Sequence, residues 1–263
     1  MMAEVSTEQG KRAVEVHSEQ AGLFAERYGQ DDPYGSVFAY SRKRLDGFLD
    51  EYLPPTDAGL RLLDVGCGTG HQLLRWRSYG YEVAGVDGSD EMLVHARENN
   101  PDAELREADA RKLPFDDASF DRVTSIEVLR YLPDPHRSIE EMARVLRPGG
   151  ICLATAAPLF ALNGYALVNR AAVALPLGNL TRLKQFFTTS RRLRRQFHDA
   201  GFSEVTVHGV YLGPLIWIER LARKRLPRVL RRWEPVDAAV ADRPVLRDLS
   251  NTYLVRAVRG PGT

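Results

Sequence analysis

Three aspartates stand at or near the ends of three successive strand-like runs. Asp64 lies in RLLDV (61–65), Asp87 closes EVAGVD (82–87) and Asp109 closes AELREAD (103–109). Three glycines, Gly66, Gly68 and Gly70, follow the first run. A glycine cluster after a strand lets the backbone approach a nucleotide-like ligand closely. A carboxylate at Asp87, beyond the second strand, can accept both hydroxyls of a ribose. Asp109 lies where an adenine edge would fall. A dinucleotide fingerprint requires G-x-G-x-x-G, whereas this loop reads G-x-G-x-G, with His71 in the place of the third spaced glycine. Three acids would also repel a diphosphate. The arrangement suits a neutral or cationic nucleoside.

These residues need a scaffold that brings successive strand ends to one edge. Leu45, Phe48, Leu49 and Tyr52 recur at helical spacing, and Pro54–Pro55 stops that helix. Helices are predicted from about Gly70 to Tyr79 and from Asp90 to Asn99, the second capped by Ser89. A fourth strand is predicted over 120–128, a helix from Ser138 to the Pro148–Gly149–Gly150 break, and a fifth strand over 151–157. Ser190 is the expected cap of a helix that Gly201 closes. Runs 203–210 and 252–258 alternate like an antiparallel strand pair. Alternating strands and helices predict a doubly wound, Rossmann-like α/β sheet with ligands beyond the strands' C-terminal edge. The expected organisation is an N-terminal helical lid (1–58), a nucleoside-binding core (59–157) and acceptor-side insertions with the final strand pair (158–263).

The pieces LLDVGCGTG, VAGVDGSDEML, EADARKLPF, FDRVTSIEVLRYLPDP and ARVLRPGG occur in order across roughly residues 60–155. In these the chain resembles the class I S-adenosylmethionine-dependent methyltransferases. The resemblance implies a seven-stranded, mostly parallel sheet whose last strand is antiparallel, and S-adenosyl-L-methionine as cofactor. It implies that Asp64, Gly66, Cys67, Gly68 and Gly70 surround the methionine part. Asp87 would hold the ribose diol, with Gly88 and Met92 beside the adenosine. Asp109 and Ala110 would meet the adenine, and Glu127 and Val128 would border the methyl group. Cys67 is read as a packing residue of the loop and not as a nucleophile.

Methyl transfer is an in-line displacement whose leaving group becomes neutral, so it requires alignment first and a base only where the acceptor must lose a proton. No residue stands out as that base; Tyr131, His136 and His208 are the candidates. Some quinone-type O-methyltransferases read LEHVPDP after the fourth strand, with a Glu and a His suited to a divalent metal. This chain reads LRYLPDP. Arg130 cannot ligate a metal at ordinary pH, so no metal site is expected. The acceptor pocket is expected from aromatics outside the motifs. A lid over 20–45 would use Phe24, Tyr28, Tyr34, Phe38 and Tyr40. A wall would use Leu159, Phe160, Tyr165, Phe186 and Phe187, with Asn163 and Asn169 as polar points. Tyr211, Trp217 and Trp233 come from 211–250.

The bulk composition fits an ordinary globular protein, with 44% apolar and 27% charged residues. Two isolated cysteines exclude a disulfide framework. The first twenty residues lack the apolar core of a secretory signal, and a cytoplasmic location is the expectation. The net charge of +1 conceals a split: residues 1–150 hold 18 Lys/Arg against 28 Asp/Glu, and residues 151–233 hold 14 against 3. The stretch RLARKRLPRVLRR (220–232) is a candidate contact for a membrane surface or an acidic carrier protein. The leading expectation is O- or C-methylation of a small-molecule or lipid-linked acceptor. The alternative is an RNA or protein methyltransferase using the basic 182–232 region. RNA ranks low, because no accompanying nucleic-acid module is present.

Overall fold

A computed structural model describes residues 12–16, 18–19, 32–174 and 184–261. The elements run α1 (Val37–Tyr52), β1 (Arg61–Val65), α2 (His71–Ser78), β2 (Glu82–Asp87), α3 (Asp90–Asn99), β3 (Glu104–Glu107) and β4 (Phe120–Ser125). They continue with α4 (His136–Val145), β5 (Leu146–Pro158), α5 (Tyr165–Ala174), β6 (Phe187–Thr188) and α6 (Ser190–Asp199). The last are β7 (Phe202–Gly209), α7 (Leu215–Ala222), α8 (Leu226–Val240) and β8 (Tyr253–Arg259).

The sheet order is β3-β2-β1-β4-β5-β8-β7, and the two-residue β6 pairs with the end of β5. β1 to β5 are mutually parallel. β8 runs antiparallel to both β5 and β7 and lies between them. This is the doubly wound sheet with an antiparallel last strand that the sequence predicts. Successive strand residues point to opposite faces, and the core divides accordingly. Leu63, Cys152 and Val255 face one layer with Ile139 and Met142 of α4 and Phe197 of α6. Leu62, Leu153 and Leu254 face the other, against Leu49 of α1, Trp76 of α2 and Leu230 of α8. Each such buried leucine contributes about 1.5–3 kcal/mol.

The local signals set the ends of the elements. Ser89 Oγ accepts the Met92 N–H at 3.1 Å and caps α3. Gly80 (φ 89°) and Gly201 (φ 95°) adopt the left-handed turn after α2 and α6. Several boundaries differ from the sequence expectation: β3 stops at Glu107, short of Asp109, and β4 stops at Ser125, short of 128. α4 starts at His136 and not Ser138, because Pro135 already has helical backbone angles and takes the N-cap position. β5 starts at Leu146, paired with Phe120, and the Pro148–Gly149–Gly150 stretch is a register shift inside the strand. Thr189 and not Ser190 caps α6, with its hydroxyl 3.3 Å from the Arg192 nitrogen, while the Ser190 N–H donates to Asp248.

Of the aromatics expected from 211–250 to wall the acceptor, Tyr211 and Trp233 belong to the core and Trp217 lies on the surface. Tyr211, Leu215, Leu226 and Leu230 complete the second layer, with Trp233 packed against it. Asp237 of α8 is fully buried and receives the Tyr40 hydroxyl at 2.6 Å, the Leu212 N–H at 2.7 Å and Arg44 at 3.2 Å. That clamp holds α1 to α8. Among the described residues, no helix is long and apolar enough to cross a membrane.

Candidate active site

A cavity of about 710 Å³ opens beyond the C-terminal ends of β1, β2 and β4, within the roughly 300–1,000 Å³ typical of small-molecule sites. Every residue the resemblance assigns to the cofactor lines it except Gly70. Gly70 instead shapes the turn into α2: its φ is 77°, and a Cβ there would sit 2.5 Å from Asn100 Nδ2.

The loop after β1 is built around glycine. Gly66 has φ 77°, and a Cβ on it would overlap Cγ2 of Val128. Its N–H and that of Cys67 both donate to the Val86 carbonyl, at 2.7 and 2.9 Å. The loop is therefore sewn to β2. Asp87 completes the seam: one carboxylate oxygen accepts the Gly68 N–H at 2.9 Å and the other the Ser89 N–H at 3.0 Å. Asp87 also stands just before α3, where the helix dipole favours its charge.

Asp64 lies beneath the loop, 3% exposed, and accepts the Thr124 hydroxyl at 2.7 Å. Burial lifts its pKa to about 7, the Thr124 bond opposing and the charge of Asp87 reinforcing the rise. Burial likewise pushes the Cys67 thiol well above its ordinary pKa, so it lacks the thiolate a nucleophile needs. Asp109 faces the cavity with its carboxylate gripped by Arg111, whose Nη2 lies 2.6 Å away. That fork, together with the Arg111 N–H, holds Asp109 below the usual carboxylate range.

Beyond β4, Glu127 adopts φ 64°, a left-handed angle few non-glycine residues take. Its N–H donates to Thr155 Oγ1 at 2.7 Å, and its carboxylate pairs with Arg130 at 2.9 Å. Among the described residues, the Arg130 Nε is buried without a hydrogen-bond partner. Glu127 and neighbouring tyrosines keep the guanidinium charged against the burial that opposes it. Tyr131 lines the cavity, its pKa pushed up to about 12 mainly by burial. It enters as a neutral phenol.

The two histidine candidates do not reach the cavity. Both ring nitrogens of His208 are engaged, by Asp242 at 2.7 Å and the Tyr52 hydroxyl at 3.0 Å, and its ring packs on Phe48. His136 sits at the start of α4, 3.4 Å from Glu140. Of the anticipated lid, Phe38 lines the cavity. Tyr34 instead joins Lys43 and Glu234, and Tyr40 is core. Phe24 and Tyr28 lie outside the described residues. Among the described residues, none of Leu159, Phe160, Tyr165, Phe186 and Phe187 is in the lining: β6 pairs with Ala157–Pro158, and the Phe186 N–H bonds to the Arg130 carbonyl. The wall is made instead by Ala13, Val14 and Glu15, by Phe38, and by Ile126, Tyr131 and Leu132. Val14 approaches Gly88, and the Ser18 and Ser89 hydroxyls are 2.7 Å apart. No motif marks 13–15, and only their proximity in the fold reveals them.

Fold and cavity together define a class I S-adenosylmethionine-dependent methyltransferase, and the chain belongs to that family. The pattern of the methyltransferase domain matches residues 63–154. The demethylmenaquinone methyltransferase of Staphylococcus aureus is 36% identical over 170 residues, covering 57% of this chain and 70% of that one. The malonyl-[acyl-carrier protein] O-methyltransferase of Erwinia pyrifoliae is 43% identical over 102 residues, 39% of this chain. This chain spans only 38% of that relative's length. The solved S-adenosylmethionine-dependent methyltransferase from Mesorhizobium loti shares the fold at TM-score 0.57 and 23% identity, covering 82% of this chain and all of the other.

Proposed function

We propose that this chain transfers a methyl group from S-adenosylmethionine to an oxygen or carbon atom of a small-molecule or lipid-linked acceptor. The observation that carries the reading is the convergence of Asp64, Asp87 and Asp109 with the Gly66–Gly68 loop on one cavity. The cradle fits the donor chemically: it offers carboxylates to a diol, an amino group and a cationic centre, and among the described residues no cation cluster for a diphosphate. The donor supplies a methyl group already activated on a sulfonium.

In this reading Asp87 accepts the ribose hydroxyls, with Gly88 and Met92 along the adenosine. Asp109, oriented by Arg111, and Ala110 meet the adenine. Cys67 packs behind the loop. Glu127 and Val128 border the methyl group, and Glu127 is held there by Thr155 and Arg130. Phe38, Tyr131 and Leu132 enclose the acceptor and exclude water, and alignment at roughly 3 Å supplies most of the rate. The relatives act on demethylmenaquinone and on a malonyl-acyl carrier protein, which supports a small or carrier-linked acceptor. The experiment is incubation of the protein with methyl-labelled donor and fractionated cell extract. Label is expected in a small-molecule or lipid fraction, or on an acyl group released from a carrier protein by thioester cleavage; label confined to RNA or to protein side chains overturns the reading.

Asp64 makes donor binding pH-dependent. Its folded pKa of about 7 lies above its unfolded value. It therefore contributes stability at acid pH that is lost as pH rises through about 7. A cationic donor selects the ionised form. Donor affinity is expected to rise about tenfold between pH 6 and 8, and to lose most of that slope in Asp64→Asn. Titration calorimetry across that range checks both, and a flat wild-type profile contradicts the coupling.

A further inference from the structure

The basic stretch after β7 and the apolar turn after β5 meet in space. The Trp217 indole N–H donates to the Asn163 carbonyl at 2.8 Å, so α7 is stitched to the turn that precedes α5. Leu162 on that turn is 49% exposed, Leu167 at the start of α5 74%, and Leu221 of α7 85%. Trp217 and Leu221 are four apart and share one helix face. Isolated exposed leucines need no explanation, but three beside an exposed tryptophan on two joined elements form a patch.

Cations rim this patch. The Arg220 guanidinium lies 5.5 Å from the Trp217 ring centre. Arg223, Lys224 and Arg225 follow directly and are exposed. Among the described residues these four form no ion pair, whereas Arg231 further along pairs with Asp32. The stretch 220–232 contains no acid at all.

We propose that this face docks on an anionic lipid bilayer. Projecting aliphatic side chains beside an indole and a run of uncompensated cations match the boundary between headgroups and acyl chains. Leucines do not stack on bases, which argues against single-stranded RNA. The position of the patch gives the docking a use. Pro158 ends β5 at the same sheet edge where β4 leads into Glu127, and Ala154 of β5 pairs with Ser125 of β4. A docked molecule thus turns the acceptor side of the sheet toward the bilayer. That last step rests on the proposed methyl transfer, whereas the docking does not.

The test is co-sedimentation of the full chain with vesicles of phosphatidylcholine alone, or containing about one-third phosphatidylglycerol. Binding is expected on the anionic vesicles and to weaken with salt. Leu221→Ser is expected to reduce it about tenfold by removing inserted apolar area. The triple change Arg223→Glu, Lys224→Glu, Arg225→Glu is expected to abolish it, each lost cation accounting for about fivefold or more. S-adenosylhomocysteine binding, measured in parallel, is expected unchanged in all variants, which separates failed docking from a failed cofactor site. Protein that stays in the supernatant, or that pellets equally well in every variant, overturns the proposal. So does binding to an acidic carrier protein, but not to vesicles, that is lost in the same variants.

Discussion

Asp87→Ala is expected to weaken S-adenosylhomocysteine binding by about a hundredfold or more, the largest effect of any single change at the site. The substitution removes the carboxylate proposed to hold the ribose diol, and two hydrogen bonds to a charged group are worth about 1.5–3 kcal/mol each. It also releases the Gly68 and Ser89 N–H groups that the carboxylate now receives, so the loop loses its tie to the start of α3. At about 1.4 kcal/mol per factor of ten, the ligand bonds alone account for the hundredfold. Asp87→Asn keeps the shape and one acceptor oxygen and is expected to fall between. Calorimetry at fixed pH, with thermal unfolding as a check on folding, measures both. A dissociation constant within about threefold of the wild type in Asp87→Ala contradicts the assignment of Asp87 to the ribose.

The second large effect is expected from Gly66→Ala. Its backbone is left-handed, which costs an L-residue about 1–2 kcal/mol. The new methyl also overlaps Val128, whose β-branched side chain has little freedom to turn away. The sum, about 2–4 kcal/mol, corresponds to a fall in Tm of about 5–10 °C for a chain of this size. The double variant Gly66→Ala, Val128→Ala is expected to recover the overlap and not the backbone strain, so the two changes should be non-additive. Additive losses in calorimetry would show that Gly66 and Val128 do not meet.

The parts of the site that local chemistry dictates were readable from residue order alone. Aspartates at strand ends, glycines where a chain must turn with positive φ, and Ser89 before a helix all declare themselves without tertiary contacts. What escaped depends on distant partners. Thr189 and Ser190 are both competent caps, and the choice falls to Thr189 because Asp248, far along the chain, takes the Ser190 N–H. Trp233 and Tyr211 suggested a pocket because aromatics line pockets and cores alike. Only the pairing of α8 with α1 through Asp237 makes them core. His208 advertised itself as a base, but its two partners come from α1 and from the segment after α8. The Arg111 grip on Asp109 is local, two residues apart, and was legible in principle from the pair itself.

The insertion of β8 between β5 and β7 also bears on how the chain reaches this state. β5 closes at Pro158, and the strand that covers its far edge over Ile151–Ala156 begins only at Tyr253. Nearly a hundred residues must therefore be threaded before the β5 edge is covered, a non-local closure that slows folding. Until then β5, with buried residues along almost its whole second half, presents an open, apolar edge. Such an edge is a template for pairing with another chain. The final strand therefore acts as a latch against self-association during folding, and changes within Tyr253–Arg259 should reduce the yield of folded protein before they alter the cavity.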